Sequence, residues 1–143
     1  MYKILVTTDG SEQSAKTIDE AAKIAIAMNA EVTVLSVADH AENMNYASSI
    51  PKEIMNKLKK DQEAFYKNAV ESAKQKLEEK GLKVKTKILK GSPVDAICSI
   101  AEKDKHDLII VGRRRLGKFQ GFFLGSVSSK VLQYAKTNVM VIK

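Results

Sequence analysis

Short apolar runs alternate along the chain with longer segments whose apolar residues recur at helical spacing. Residues 3–7, KILVT, form the first run, and Val32, Val34, Leu35 and Val37 form the second. In a third, Val84, Thr86 and Ile88 alternate with Lys83, Lys85 and Lys87. Leu108, Ile109, Ile110 and Val111 are an unbroken fourth, the mark of a strand buried on both faces of a parallel sheet, and Val139 to Ile142 are the fifth. Between them lie four helical patterns. Ala15, Ile18, Ala22 and Ala25, with Ala21 and Met28 beside them, write the first; Ile54, Leu58, Phe65, Ala69, Ala73 and Leu77, with Met55 near its start, write the second. Val94, Ile97, Cys98 and Ala101 write the third, and Val127, Val131 and Leu132 the last. Strand and helix in strict alternation predict parallel neighbours in an α/β fold.

The punctuation agrees with the pattern. Thr8, Asp9, Gly10 and Ser11 read as a turn with Ser11 as N-cap, and Asn29 ends the helix that follows. Pro51 suits the start of the second helix and Gly81 its stop, while Ser92 and Pro93 open the third. The second helix carries a narrow seam on a highly charged body, so one face is expected on the sheet and the rest in water. The lysines of the third strand would blunt an exposed sheet edge. Residues 38–50 show little periodicity.

At 143 residues the chain fits one domain, residues 1–143, with a core that needs no disulfide or metal. Its 44% hydrophobic and 29% charged residues are ordinary for a globular protein, and no apolar stretch is long enough for a membrane span. The start runs directly into a strand without a leader pattern, so a cytoplasmic location is expected. Cys98 is the only cysteine and reads as a small core residue. A net charge of +7 favours anionic partners without choosing among them. Nucleic acid is disfavoured, because the basic residues lack interleaved aromatic platforms.

No catalytic constellation emerges. His40 and His106 are the two histidines. His106, in KDKHDL just before the fourth strand, reads as a surface residue at the end opposite the strand C-termini. Ser11, in DGSE, is not in a nucleophile elbow, and no metal-ligand spacing occurs.

Candidate chemistry concentrates in Val111 to Ser129, VGRRRLGKFQGFFLGSVSS. Gly112 ends a buried strand, Gly125 and Ser126 open a helix whose free N–H groups would receive an anion, and Arg113, Arg114, Arg115 and Lys118 add positive charge between them. Two readings stay open: a phosphate-binding loop, or glycines that only supply backbone angles beside a solvated basic turn.

The chain resembles a single-domain universal stress protein. The likeness covers essentially its whole length and rests on KILVTTDGSE at 3–12, VTVLSVAD at 32–39, KGSPVDAI at 90–97, DLIIVGRRR followed by LGSVSSKVL, and NVMVIK at the end. The family's ATP-binding signature runs glycine, two residues, glycine, nine residues, glycine and serine or threonine; here Gly112, Gly125 and Ser126 keep the spacing and Arg115 replaces the second glycine. That arginine would either plug the phosphate volume or reach the phosphates with a charge-assisted fork.

The resemblance implies a doubly wound open five-stranded parallel sheet of order 3-2-1-4-5 with helices on both faces, similar to the adenine nucleotide alpha hydrolases. It implies an ATP or related adenine-nucleotide site, with any magnesium brought by the phosphates. Thr8, Asp9 and Val37 would serve the adenine and ribose side; Val111, Gly112, Arg114, Arg115, Gly125, Ser126, Val127 and Ser128 would serve the ribose and phosphate side. Asp9 reads equally as an acid capping its own turn. The resemblance further implies a homodimer through the last strand, Val139, Met140, Val141 and Ile142, acting as a sensor or regulator. Arg115 favours the alternative, a nucleotide-independent interaction protein of the same family.

Overall fold

The structure, a computed structural model, describes residues 1–38, 50–113 and 125–143. In chain order its elements are β1 (Lys3–Thr7), α1 (Glu12–Met28), β2 (Glu31–Ala38), α2 (Lys52–Glu79), β3 (Val84–Lys90), α3 (Pro93–Lys103), β4 (Leu108–Gly112), α4 (Ser126–Tyr134) and β5 (Asn138–Ile142). The five strands form one sheet, β3-β2-β1-β4-β5, and every pairing is parallel. The expected order and helix count are both present.

Register follows from the two-residue period of each strand. Ile4 pairs with Val32 and Leu108, and Val6 with Val34 and Ile110. These side chains pack with Ile18, Ala21, Ala22 and Ala25 of α1 and with Val70, Ala73 and Leu77 of α2. Leu5, Leu35, Ile109 and Val111 point the other way, onto Ile97, Ile100 and Ala101 of α3 and Val131 of α4. β1 and β4 are thus buried on both faces, which is why their sequences read as continuous apolar runs. Burying each Leu or Ile side chain there contributes about 1.5–3 kcal/mol.

The helix signals have local causes. The Ser11 hydroxyl accepts from Ser14 N at 3.2 Å, and Asn29 stops α1 with φ of 50°. Ser92 accepts from Asp95 N at 3.5 Å, with Pro93 as the first helical residue of α3. Gly81 follows α2 at φ of 81°, where a side chain would be strained.

Three expectations are corrected. The seam of α2 is only half used: Ala73 and Leu77 are buried, joined by Val70 from outside the predicted seam, whereas Ile54, Leu58 and Phe65 are 52%, 52% and 54% exposed. The cause is length. At 28 residues α2 runs roughly 42 Å, while the eight-residue β2 spans only about 26 Å, so the N-terminal half of the helix outruns the sheet. Met28 is exposed at the end of α1. β3 is a sheet edge and its lysines line it as expected, while also forming ion pairs: Lys85 and, just before the strand, Lys83 pair with Glu31 at 3.1 and 3.7 Å, and Lys87 pairs with Asp104 at 2.7 Å. Cys98 is half-buried rather than core; burial, reinforced by Asp95, raises its thiol pKa and keeps it protonated.

Candidate functional site

In a sheet of this order the chain reverses direction between β1 and β4, and the strand C-termini on either side of that point open a crevice. The parallel topology carries the turn after β1, the end of β2, the end of β4 and the start of α4 to this one end.

The start of α4 is chemically the most distinctive part. Gly125 is its N-cap, with φ of −57° and ψ of 158° and no side-chain cap, so Ser126 is the first helical residue and not the cap. The Gly125 carbonyl already receives Ser129 N at 3.0 Å and the Ser128 hydroxyl at 3.2 Å. The N–H groups of Ser126, Val127 and Ser128 have no acceptor among the described residues, and no acidic side chain lies in the first turn. Three donors without an acceptor among the described residues, and no acidic side chain in the first turn to compensate the helix dipole, make an anion-receptive terminus. Ser126 is exposed beside them, whereas Ser128 is buried with its hydroxyl spent on Gly125.

Apolar walls adjoin this terminus. Val111 is 2% exposed and packs in the α3/α4 layer, against which Val37 and Val127 are also packed. The three predicted valines are therefore brought into one cluster. Asp9 accepts from Ser11 N at 2.9 Å through Oδ1, which realises its turn-capping reading and fixes the carboxylate at the mouth of β1.

Two predicted residues face the other layer. Thr8 continues the alternation of Ile4 and Val6, and its hydroxyl donates to Ser14 Oγ at 3.1 Å while accepting from Gly10 N at 3.3 Å. Gly112 has no left-handed φ; a Cβ there would lie 2.5 Å from Thr17 Oγ1. The glycine is required by the close approach of α1, not by a turn angle. Thr17 is fully buried and donates to the Gln13 carbonyl at 3.0 Å, and Gln13 Nε2 reaches the Ile142 carbonyl at 3.3 Å. Gln13, Ser14 and Thr17 thus brace the crevice from behind. Nothing in the sequence pattern singled them out except that Ser14 and Thr17 fall on the buried side of α1.

Thr8, Ser11, Ser14 and Ile18 also line a cleft of about 250 Å³ between α1 and α2, with Phe65, Asn68, Ser72 and Lys76 on its far wall. Arg114, Arg115, Lys118 and His40 lie outside the described residues. Among those described, no group of three histidine, cysteine or acidic side chains is placed to hold a metal ion. No helix among them is long and apolar enough to cross a membrane.

The opposite end of the sheet is built differently. His106, expected at the surface, is 6% exposed, with Nε2 3.1 Å from Thr33 Oγ1. The pairing of β1 with β4 and the close of α3 draw it inward: His106 N donates to the Ala101 carbonyl and Asp107 N to that of Lys3. Burial pushes its pKa below the ordinary 6.5, aided by Lys3 and Lys87 and opposed by the nearby Ile100 carbonyl and Asp104. Its Nδ1 makes no hydrogen bond of good geometry. The hydrogen bond from Lys85 holds Glu31 below the usual carboxylate range, and that from Lys87 does the same for Asp104.

Fold and site together define an open doubly wound α/β protein with an anion-receptive helix start at its switch point. The family model for universal stress proteins matches residues 1–143, and the chain belongs to that family. It is 33% identical to the universal stress protein MJ0531 of Methanocaldococcus jannaschii over 99% of this chain and 81% of that one. Among solved structures, that of MJ0577 from the same organism is similar at 33% identity and a TM-score of 0.84, covering 99% of this chain and 94% of that one. A universal stress protein in complex with cAMP is similar at 27% identity and a TM-score of 0.68, covering 99% and 96% of the two chains.

Proposed function

We propose that this chain binds an adenine nucleotide in the crevice between β1 and β4 and acts as a cytoplasmic stress-response regulator rather than a fast enzyme. The observation that carries the reading is the start of α4, which has no side-chain cap and whose N–H groups at Ser126, Val127 and Ser128, without an acceptor among the described residues, suit a phosphate. The cAMP bound by a similar family member supports an adenine ligand. On this reading the phosphate lies at Gly125 and Ser126, the adenosine between Asp9 and the Val37 and Val127 wall, and ATP is the first ligand to test, with magnesium arriving on its phosphates. Residues 1–143 act as one domain.

The chain is further proposed to pair with a second copy through β5. That strand is a sheet edge, and Met140 is 38% exposed on it, with Val139, Val141 and Ile142 half-buried. Twofold pairing of such an edge removes its unpaired backbone groups from water.

Calorimetric titration of nucleotide-stripped protein with magnesium ATP and with cAMP, run beside Arg115→Gly, tests the ligand. Binding by the native chain is expected. Silence in the native chain with binding in the glycine variant would identify Arg115 as a plug. Silence in both would favour the nucleotide-independent interaction protein, the reading that Arg115 in the place of a signature glycine supports.

A further inference from the structure

Gly10 sits at φ of 81° in the turn that carries Asp9, and the space its missing side chain leaves is occupied. A Cβ at Gly10 would lie 3.1 Å from Phe65 Cζ and 3.3 Å from the Ala69 Cβ, so the edge of the Phe65 ring fills the notch. Phe65 belongs to the half of α2 that outruns the sheet, is 54% exposed, and meets Tyr66 edge-on with ring centroids 5.7 Å apart. Two hydrogen bonds give this turn its shape, Gly10 N to Thr8 Oγ1 and Ser11 N to Asp9 Oδ1. Both are short-range and partly open to water. Thr8 is anchored to Leu35 and Ser14, and Ser11 to Ser14, so the freedom left in the turn is that of Gly10, which can leave the left-handed region and sample other conformations. An aromatic edge against the glycine removes those alternatives by steric exclusion.

We propose that Phe65 is a positioning residue for the crevice: its ring, seated against Gly10, holds the Thr8 to Ser11 turn so that Asp9 is presented to the ligand. The inference takes its ligand from the adenine-nucleotide reading, but the order of the turn is a property of the protein alone. Leu58 provides the contrast. It lies on the same stripe of α2 and is equally exposed at 52%, yet it does not fill the Gly10 notch. α2 therefore does more than cover the sheet; through one side chain it sets one lip of the crevice.

The experiment compares native protein with Phe65→Ala, Phe65→Leu and Leu58→Ala. Amide exchange without nucleotide reads the two hydrogen bonds directly. Gly10 and Ser11 should exchange about tenfold faster in Phe65→Ala, partly recover in Phe65→Leu and match native in Leu58→Ala. The Kd for magnesium ATP rises, in Phe65→Ala alone, by the factor by which the ordered turn loses population, about twofold if the turn becomes half open. Unchanged Gly10 and Ser11 exchange in Phe65→Ala overturns the proposal, as does equal loss in Leu58→Ala. Should the native chain bind no nucleotide, the functional reading falls while the exchange data still decide whether Phe65 orders the turn.

Discussion

The two ends of the sheet differ in what they leave unsatisfied. At the base, Glu31 holds two lysines, Lys87 holds Asp104, and His106 is sealed under the close of α3 against Thr33. At the crevice, α4 starts with N–H groups that have no acceptor among the described residues, and glycines replace side chains where helices press in. Two helix starts at that same end sharpen the contrast. α1 is capped by Ser11 and has Glu12 as its first helical residue; α4 is capped by neither, with Ser126 in the equivalent place. A charge or donor already partnered within the chain is structure; one left open is available to a ligand.

The comparison breaks most visibly at Gly112. Gly112→Ala forces a methyl against Thr17 Oγ1 and should cost about 2 kcal/mol in urea denaturation. Thr17→Ala in the same chain should restore part of it, and strictly additive losses would show that the contact is not the cause.

At the base, His106→Gln should cost about 1–2 kcal/mol by disturbing a buried hydrogen-bonded site. The pH dependence carries the sign of a depressed histidine. Because burial lowers its folded pKa below 6.5, the unfolded chain binds the proton first, so stability is complete above about pH 6.5 and falls as the pH drops below it. Denaturation midpoints between pH 7.5 and 5.5 should show that fall in the native chain and lose it in His106→Gln. A slope unchanged by the substitution would assign it to another group.

Ser11→Ala removes the α1 cap and should cost about 1 kcal/mol. Ser126→Glu, which gives α4 the acidic first turn of α1, should instead stabilise by about 0.5 kcal/mol while opposing a bound phosphate, raising the Kd for magnesium ATP roughly fivefold. Parallel thermal melts and titrations would separate these opposite signs. The smallest effect belongs to Glu31→Gln. Its partners Lys83 and Lys85 are well exposed, so the loss should stay under about 1 kcal/mol, vanish in high salt, begin to shrink as the pH falls below about 4.5, and disappear once the pH passes the lower folded pKa and the native carboxylate protonates.

Most of the fold was legible because β1, β2 and β4 are buried on the faces their sequence patterns announce; edge strand β3 departs from its pattern, with Ile88 42% exposed. The caps at Ser11 and Ser92 and the stops at Asn29 and Gly81 were equally legible, since each needs only its own neighbours. The site was legible in part. Gly125 and Ser126 were placed at the helix start, but which of them caps it turns on one backbone dihedral pair that periodicity does not encode. Thr8 was assigned to the crevice although its place in the alternation of β1 already turned it toward α1, where Ser14 receives it.

Sequence alone determined the number and order of the elements, the parallel sheet and the end at which a ligand would meet it, because hydrophobic period and turn chemistry act over a few residues. Tertiary structure decided why Gly112 is a glycine, why His106 is buried among charged neighbours, and why Phe65 lies on Gly10. Each of these depends on two segments far apart in the chain arriving within a few ångströms of one another, and steric exclusion and burial exist only once they have met.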